Sequence, residues 1–347
     1  MTLDDINSFK TKVRNEEAVN LPQEGASGLQ ALVDARPDRR VAVGYSRLRG
    51  NNYRLELRVQ REGGHAHAYA QQIAKEAKGE ARIAVLESLQ IPSLRELFIG
   101  SRPAARTKRR PLHLGVSIGP REGGAGTLGC FVELKNQRVG ILTAAHVLTK
   151  LSDEAKVKQP VFQPGSSDVS RLLGSYKVAE LADWSVAVRD KPNEIDAAIA
   201  QLDPDVDHLG NQVPEGGAPK ELHGKALKCG QEATDVALET VVAKIGRSTD
   251  YRTGKLSAIG LDGVPVFSTY LGNLSFDDVI EIEWESSTNS FSLPGDSGSV
   301  VFVAETREVI GLVFAGGALQ SDRGRVGVTY ACGVRTILEE FSVAFLK

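Results

Sequence analysis

Cysteine is scarce in this 347-residue chain, and its spacing excludes two classes of protein. The three cysteines, Cys130, Cys229 and Cys332, are odd in number and far apart, so they do not resemble the disulfide framework of a small secreted domain. No pair has the CxxC spacing that zinc sites use. We therefore expect small, buried apolar side chains at these positions, with no metal and no cofactor.

Long apolar runs and an excess of one charge are also missing. No run reaches the roughly 18 residues that a membrane-spanning helix needs. The polar, acidic N-terminus, with Asp4 and Asp5, has no apolar core of a signal peptide. The net charge of −2 argues against a general nucleic-acid binder. We expect a cytoplasmic protein with no nucleic-acid or membrane partner.

Aromatic residues are modest at 6%, whereas glycine is abundant with 35 residues. After Pro111, short β patterns separated by turn residues recur to the end of the chain, which predicts a mainly β fold of the sandwich or barrel type. One helix is predicted at 334–345 from its apolar spacing. The predicted strands are 115–119, 127–134, 138–143, 185–189, 197–201, 240–246, 279–284, 299–304, 309–314 and 327–332.

The first part of the chain follows a different pattern. It predicts a hairpin at 40–60, a helix at 65–78 and a strand at 82–86. Residues 101–111 then carry five basic side chains and two prolines, which is typical of a solvated linker. The predicted division is an N-terminal arm (1–38), a small α+β domain (39–100), a basic linker (101–111) and a large β-rich domain (112–347).

The segment Gly295–Ser299, GDSGS, indicates chemistry. A serine in a tight, glycine-rich turn that opens into an apolar strand is how a hydroxyl is presented as a nucleophile. Gly295 lets the backbone turn tightly, so the amides of Gly295 and Ser297 can converge on a developing oxyanion. We expect Gly298 to leave room for the substrate.

Two partners for this serine precede it in the chain. His146 follows an apolar strand, which predicts an imidazole at a strand end that faces a cleft. Asp196 begins an apolar stretch, which predicts a carboxylate at a buried edge. A serine needs a base, and the base needs an orienting acid, so the three residues nominate a Ser-His-Asp triad. Asp203, Asp205 and Asp207 remain alternatives for the acid.

The motifs LTAAHV, IDAAIA and GDSGS resemble the trypsin/chymotrypsin-like serine peptidases. The stretches 111–119, 126–132 and 242–249 resemble the intracellular, disulfide-poor branch found in bacteria and plants. The resemblance implies two six-stranded β-barrels of the chymotrypsin type within 112–347, with the active site in the cleft between them. It also implies a serine endopeptidase that acts on proteins or peptides, and we expect a regulatory intracellular protease.

The same resemblance implies a set of substrate-binding residues. Phe291, six residues before the serine, corresponds to the residue that often sets the primary specificity pocket, and Phe314, Ala315 and Gly316 line that pocket. Because Phe291 has no charge, a basic substrate side chain would be buried without a partner, which is costly. We expect a preference for apolar or small side chains.

In secreted relatives, the acid before the serine pairs with a newly cut N-terminal amine. Here the chain begins far upstream, and Pro111 would make a poor terminus for a buried ammonium. We therefore expect Asp296 to pair with another group.

Two alternatives to a peptidase stay open. One is a catalytically silent protease-fold scaffold or binding module, with a partner protein docked on the N-terminal domain. The other is an esterase that uses the same triad.

Overall fold

Strands dominate the computed structural model. The predicted arm beyond residue 19 and the predicted linker before residue 105 lie outside the described residues. The described residues are 1–19, 40–48, 50–87, 89–91, 105–151, 154–169, 176–189, 191–215, 217–229, 233–284, 290–321 and 324–347.

Four α-helices occur in this part of the chain, and none of them is both long and apolar enough to cross a membrane. The predicted helix at 65–78 is confirmed. The helix predicted at 334–345 ends earlier, because Ser342 adopts a left-handed conformation (φ 51°) and the next residues form a strand. The helices are α1 (Leu3–Val19), α2 (His65–Glu76), α3 (Ala145–Thr149) and α4 (Val334–Phe341).

The strands fall into three hydrogen-bonded sheets. Those before residue 150 are β1 (Val41–Arg47), β2 (Tyr53–Val59), β3 (Ala81–Leu86), β4 (Gln90–Ile91), β5 (Ser117–Ile118), β6 (Gly126–Thr127), β7 (Cys130–Glu133) and β8 (Val139–Thr143). Those up to residue 250 are β9 (Pro160–Gln163), β10 (Tyr176–Trp184), β11 (Pro192–Asn193), β12 (Ala198–Leu202), β13 (Lys228–Cys229) and β14 (Val241–Gly246). The remainder are β15 (Asp250–Asp262), β16 (Val264–Ser268), β17 (Gly272–Phe276), β18 (Val279–Trp284), β19 (Val300–Val303), β20 (Glu308–Ser321), β21 (Gly324–Gly333) and β22 (Ala344–Phe345).

A six-stranded sheet carries the predicted histidine and aspartate. Its order is β22-β7-β8-β12-β10-β9, and the short pair β5–β6 lies apart from it. Antiparallel pairing of β8 with β12 sets Thr143 opposite Ala198. The residues just after β8 and just before β12 are therefore neighbours, which brings His146 close to Asp196.

The largest sheet carries the predicted serine and includes the N-terminal strands. Its main path is β11-β17-β16-β4-β20-β19-β14-β15-β1-β2-β3, and β18 and β21 pair alongside it. Strand β1 pairs with β15, and β3 also pairs with β20. The sheet is thus continuous across the predicted boundary at 101–111. The division into domains and the closure of the sheets into two barrels stay predictions.

A buried polar network joins the N-terminal hairpin, β1–β2, to strands β18 and β21 of the same sheet. Arg58 on β2 donates to both carboxylate oxygens of Glu281 on β18, at 3.0 and 2.7 Å, and to Glu56 at 3.1 Å. The hydroxyl of Tyr330 donates to Glu281 at 2.5 Å. Arg58, Glu56, Glu281 and Tyr330 are at most 1% exposed, and Glu56 also pairs with the partly exposed Arg54 at 2.7 Å, so protein groups and not solvent hold these charges.

The predicted strand at 185–189 is wrong. The true strand, β10, ends at Trp184, and a loop follows. Side chains replace the ladder there: the amide of Val188 donates to Asn193 Oδ1 at 2.8 Å, and Ser185 Oγ accepts the amide of Ala197 at 3.0 Å. The alternation of Ser-Val-Ala-Val-Arg imitated a strand, although its valines are half exposed.

The described part of the predicted basic linker is fixed to β9 of the six-stranded sheet. Gln163 Oε1 accepts hydrogen bonds from the amide of Arg109 at 3.0 Å and from the guanidinium of Arg110 at 2.9 Å. The Gln163 amide donates to the carbonyl of Thr107 at 2.7 Å. In these residues, the segment is docked against the protein and does not behave as a solvated spacer.

Candidate active site

His146 and Asp196 are joined by two hydrogen bonds and are both fully buried. Nδ1 of His146 lies 2.6 Å from Oδ2 of Asp196, and the backbone amide of His146 donates to Oδ1 at 3.0 Å. A carboxylate on Nδ1 selects the tautomer that carries its proton there, which leaves Nε2 as the basic nitrogen. Nε2 has no hydrogen-bond partner among the described residues.

Of the alternative acids, Asp203 pairs with Lys177 at 3.3 Å. No contact in the described part of the chain joins Asp205 or Asp207 to His146. Cys332 also holds the backbone of Asp196, because the Asp196 amide donates to Sγ of Cys332 at 3.3 Å.

The turn that carries Ser297 packs against the first half of the molecule. Thr127 on β6 makes two hydrogen bonds to it: its amide donates to the carbonyl of Ser297 at 2.9 Å, and its hydroxyl donates to the carbonyl of Gly295 at 2.8 Å. Ser297 is 6% exposed. These contacts hold the turn in place and leave the Ser297 hydroxyl without a hydrogen bond among the described residues.

Gly298 contacts the strand end that leads to His146. Its φ is +90°, and a Cβ at this position would lie 2.2 Å from Thr143 Oγ1 and 3.0 Å from the amide nitrogen of Ala144. The close approach explains the glycine better than the expected space for a substrate. The turn at 295–298, which carries Ser297, and the segment that carries His146 are therefore in direct contact.

The two backbone amides that were predicted to bind the oxyanion make no hydrogen bond within the described residues. Gly295 has a φ of +99°, a conformation that favours glycine. The neighbouring amide of Asp296 donates to the carbonyl of Leu293 at 3.0 Å, which turns the backbone. Neither the amide of Gly295 nor that of Ser297 donates a hydrogen bond within the described residues, so both can serve a developing negative charge.

Asp296 has an internal cationic partner, Lys244 on β14. Their charged atoms lie 3.0 Å apart, and both side chains are fully buried. The amides of Ser248 and Leu293 also donate to this carboxylate, at 2.8 and 3.0 Å, and the hydroxyl of Thr249 donates at 2.8 Å. Burial lowers the pKa of Lys244 below its ordinary value, and the charge of Asp296 opposes that shift.

No family model matches the chain, and no curated protein matches it. Solved structures of bacterial serine proteases do. Nocardiopsis protease is 16% identical, with a TM-score of 0.46 over 68% of this chain and 100% of that chain. Cellulomonas bogoriensis chymotrypsin is 17% identical (TM-score 0.43, 68% and 99%), and Thermobifida fusca protease A is 15% identical (TM-score 0.44, 68% and 100%). At such scores the likeness carries no argument about activity.

Two of the predicted pocket side chains lie in the core. Phe291 and Phe314 are fully buried, and the ring of Phe314 packs on that of Phe276 at 4.6 Å between centroids. Ala315 is 4% exposed, and Gly316 is partly exposed. Any direct contact with a substrate therefore falls to the Ala315–Gly316 end of this set, and the phenylalanines would act by shaping the wall.

Two hydroxyl side chains beside Gly316 were missed from the sequence. Ser292 Oγ and Thr329 Oγ1 are 2.6 Å apart, and a Cβ at Gly316 would lie 3.6 Å from Ser292 Oγ. Ser292 directly follows Phe291, so the sequence prediction missed this residue by one position. Thr329 had no signal in the sequence, because only the pairing of β20 with β21 sets it opposite Gly316.

Lys244 and Thr127 were also missed as functional residues. A lysine inside the apolar stretch Val241–Gly246 is a detectable signal, since a buried ammonium requires a partner. Nothing around Thr127 in the sequence indicates that it holds the turn at 295–298.

Proposed function

We propose that this protein is a serine endopeptidase that uses Ser297, His146 and Asp196. The observation that carries the proposal is the arrangement at His146: a buried carboxylate on Nδ1, and an unpaired Nε2 in a segment that contacts residues 295–298, the proposed nucleophile turn. The two free amides in that turn support the same chemistry. Hydrogen bonds between base and nucleophile are often long before substrate binds, so an unpaired serine fits a resting site.

In the proposed reaction, Ser297 Oγ attacks the peptide carbonyl while Nε2 of His146 takes its proton. The amides of Gly295 and Ser297 hold the oxyanion, and Asp196 stabilises the imidazolium. His146 then gives the proton to the leaving amine, which departs and leaves an acyl-enzyme. Water attacks the acyl group by the same route, with His146 again as the base.

We propose a pocket that prefers apolar or small, uncharged side chains. Among the described residues, Ser292 and Thr329 form no hydrogen bond with a charged side chain: their hydroxyls pair with each other at 2.6 Å, beside Gly316. A charged group would lose its hydration there without gaining a partner.

We also propose a regulatory role in a reducing compartment, the cytoplasm. Cys130, Cys229 and Cys332 are all free thiols; Cys130 and Cys332 are buried as expected, but the expected burial is wrong for Cys229, which is exposed. Cell fractionation with an antibody to the protein tests the location: recovery in an oxidising compartment would contradict it.

The test of the activity is labelling with a fluorophosphonate probe, followed by a casein digest. The wild-type protein should be labelled, Ser297→Ala should not be, and Ser8→Ala on the exposed face of α1 should behave as wild type. Asp196→Asn should keep the fold but lose about 10⁴-fold in kcat, because the histidine takes the wrong tautomer.

The alternatives give different results in the same assays. A silent scaffold gives no labelling of the wild type. An esterase is labelled and cleaves a short-chain ester but leaves casein and peptide amides intact.

A further inference from the structure

Strand β20 runs directly past the nucleophile turn. The amide of Val313 donates to the carbonyl of Ser299 at 2.9 Å, and the carbonyl of Val313 accepts from the amide of Gly298 at 2.8 Å. A peptide whose carbonyl lies at Ser297 can therefore continue as an added strand along this edge of β20, a common mode of peptide recognition.

Beyond this point, both edges of β20 are occupied. Strand β21 pairs with one edge from Gly311 to Ser321. On the other edge, Gln90 of β4 pairs with Gly316, and β3 pairs with Leu319 and Gln320. The amide of Glu87 also donates to the carbonyl of Ala318 at 2.9 Å.

The covering segment, residues 85–87 and 89–91, is held on both sides by backbone hydrogen bonds and by buried side chains. Leu86, Leu89 and Ile91 are at most 1% exposed. Strand β4 also pairs with β16 on its far side, where the amide of Phe267 donates to the carbonyl of Leu89 at 2.9 Å. A substrate strand would replace a few backbone hydrogen bonds but would have to expose three buried side chains. It does not displace the segment.

We infer that the covering segment, residues 85–87 and 89–91, limits the peptide that β20 can bind to at most two residues on the N-terminal side of the cleaved bond. This inference rests on the proposed peptidase function. Successive residues of an added strand advance about 3.3 Å each, and they meet successive residues of β20. Between Val313, which holds the turn, and Gly316, which holds Gln90, only Phe314 and Ala315 remain.

Peptidyl diphenyl phosphonates of one to four residues test the inference, because they react with an active serine and need no turnover. Each series carries alanine, leucine or phenylalanine next to phosphorus, with alanines added before it. The second-order rate constant of inactivation should change less than about twofold when a third and a fourth residue are added. A tenfold rise at the third or fourth residue overturns the inference.

A double variant tests whether the covering segment is the reason that the rate constant of inactivation does not rise with peptide length. Leu89→Ala combined with Ile91→Ala should loosen β4, so that the four-residue phosphonate gains at least about fivefold over the two-residue one. Leu55→Ala, a buried leucine of β2 away from this edge, should give no such gain. A double variant that keeps its rate with the two-residue compound and gains nothing with longer ones also overturns the inference.

The two proposals fail differently. If no phosphonate or fluorophosphonate reacts with the wild type, the peptidase function fails. If they react and the rate climbs with length, the function stands and only the limit of two residues is wrong.

Discussion

At the scale of single residues, the close contact of the Ser297 turn with Thr143 and Ala144 explains why residue 298 is a glycine. Its φ is +90°, and a Cβ would meet Thr143. Gly324 offers a matched control, because its φ is +96° and nothing lies within 4 Å of the same position. Both substitutions to alanine strain the backbone alike, so their difference reports the contact alone.

We expect Gly298→Ala to lose about 1–3 kcal/mol more in free energy of unfolding than Gly324→Ala, since overpacking adds to the shared strain. Urea denaturation followed by fluorescence measures both. Peptidase activity should fall in Gly298→Ala only. Equal losses of stability in the two variants would mean that the turn moves freely to accept a methyl group.

The Lys244–Asp296 pair predicts an alkaline limit to activity. Burial lowers the pKa of Lys244, so this ammonium loses its proton as the pH rises, at a lower pH than an ordinary lysine does. The Asp296 carboxylate then loses its cationic partner and keeps only its hydrogen bonds, which weakens the support of the neighbouring amides of Gly295 and Ser297, the proposed oxyanion donors. A guanidinium keeps its charge throughout this range.

In Lys244→Arg, we therefore expect the fall in kcat at high pH to move upward or disappear, provided that the pair still forms. The exposed Lys255, paired with Glu239 at 3.2 Å, gives the control: Lys255→Arg should keep the wild-type profile. The measurement is kcat against pH for the three proteins. An unchanged alkaline limb in a folded Lys244→Arg protein would exclude the pair as its origin.

The sequence predicted the histidine, the aspartate and the serine because each stands in a local pattern that imposes its conformation. The structure joins the first two by hydrogen bonds and sets the third in a turn whose Gly298 lies against Thr143 and Ala144, just before the histidine. Lys244 and Thr127 could not be assigned in this way, because their roles depend on pairings with residues 52 and 168–170 positions away.

At the scale of elements, the β1–β2 hairpin depends on its buried arginine. Burial alone would raise the pKa of Glu281, but the charge and hydrogen bonds of Arg58 hold that pKa below its ordinary value. A carboxyl with a lowered pKa stabilises the fold at neutral pH, and that contribution is lost only as the pH falls through the lowered value.

We expect Arg58→Ala to cost about 3–5 kcal/mol in free energy of unfolding at neutral pH, because it leaves the buried carboxylate of Glu281 without its cationic partner, whereas Glu56 keeps Arg54. Arg325→Ala breaks an exposed pair with Glu87 and should change stability little. Thermal and urea unfolding of both variants test this. The difference in free energy of unfolding between Arg58→Ala and the wild type should become smaller at acidic pH. A cost that is similar for both arginines would contradict the buried network.

Elements with strict alternation were predicted well from the sequence. The hairpin β1–β2 and strand β18 are examples, since one of their faces is apolar and the period is two. Strand β15 was missed because it opens with the polar run Asp250-Tyr251-Arg252-Thr253 and bends between neighbours, pairing in turn with β14, β18 and β1. Such a strand obtains its order from its partners and not from its own pattern.

At the scale of the whole molecule, the N-terminal strands and the serine-bearing half share one sheet and one core. Ile6 of α1 and Ala70 of α2 belong to the same buried cluster as Ile282 and Val301. A separate N-terminal domain would need a core of its own.

We therefore expect a single cooperative unfolding transition. Calorimetric and van't Hoff enthalpies should agree, and the fluorescence and circular dichroism curves should coincide. Two resolved transitions, one of them unaffected by Arg58→Ala, would show that residues before the predicted linker fold independently.

The contacts of Thr127 with the nucleophile turn have a consequence during biosynthesis. Thr127 precedes Gly295 by 168 residues and Ser297 by 170, so neither hydrogen bond between them can form until the ribosome has added the turn at 295–298. Under the proposed function, a nascent chain that has not yet reached this turn contains His146 and Asp196 but no hydroxyl for them to activate.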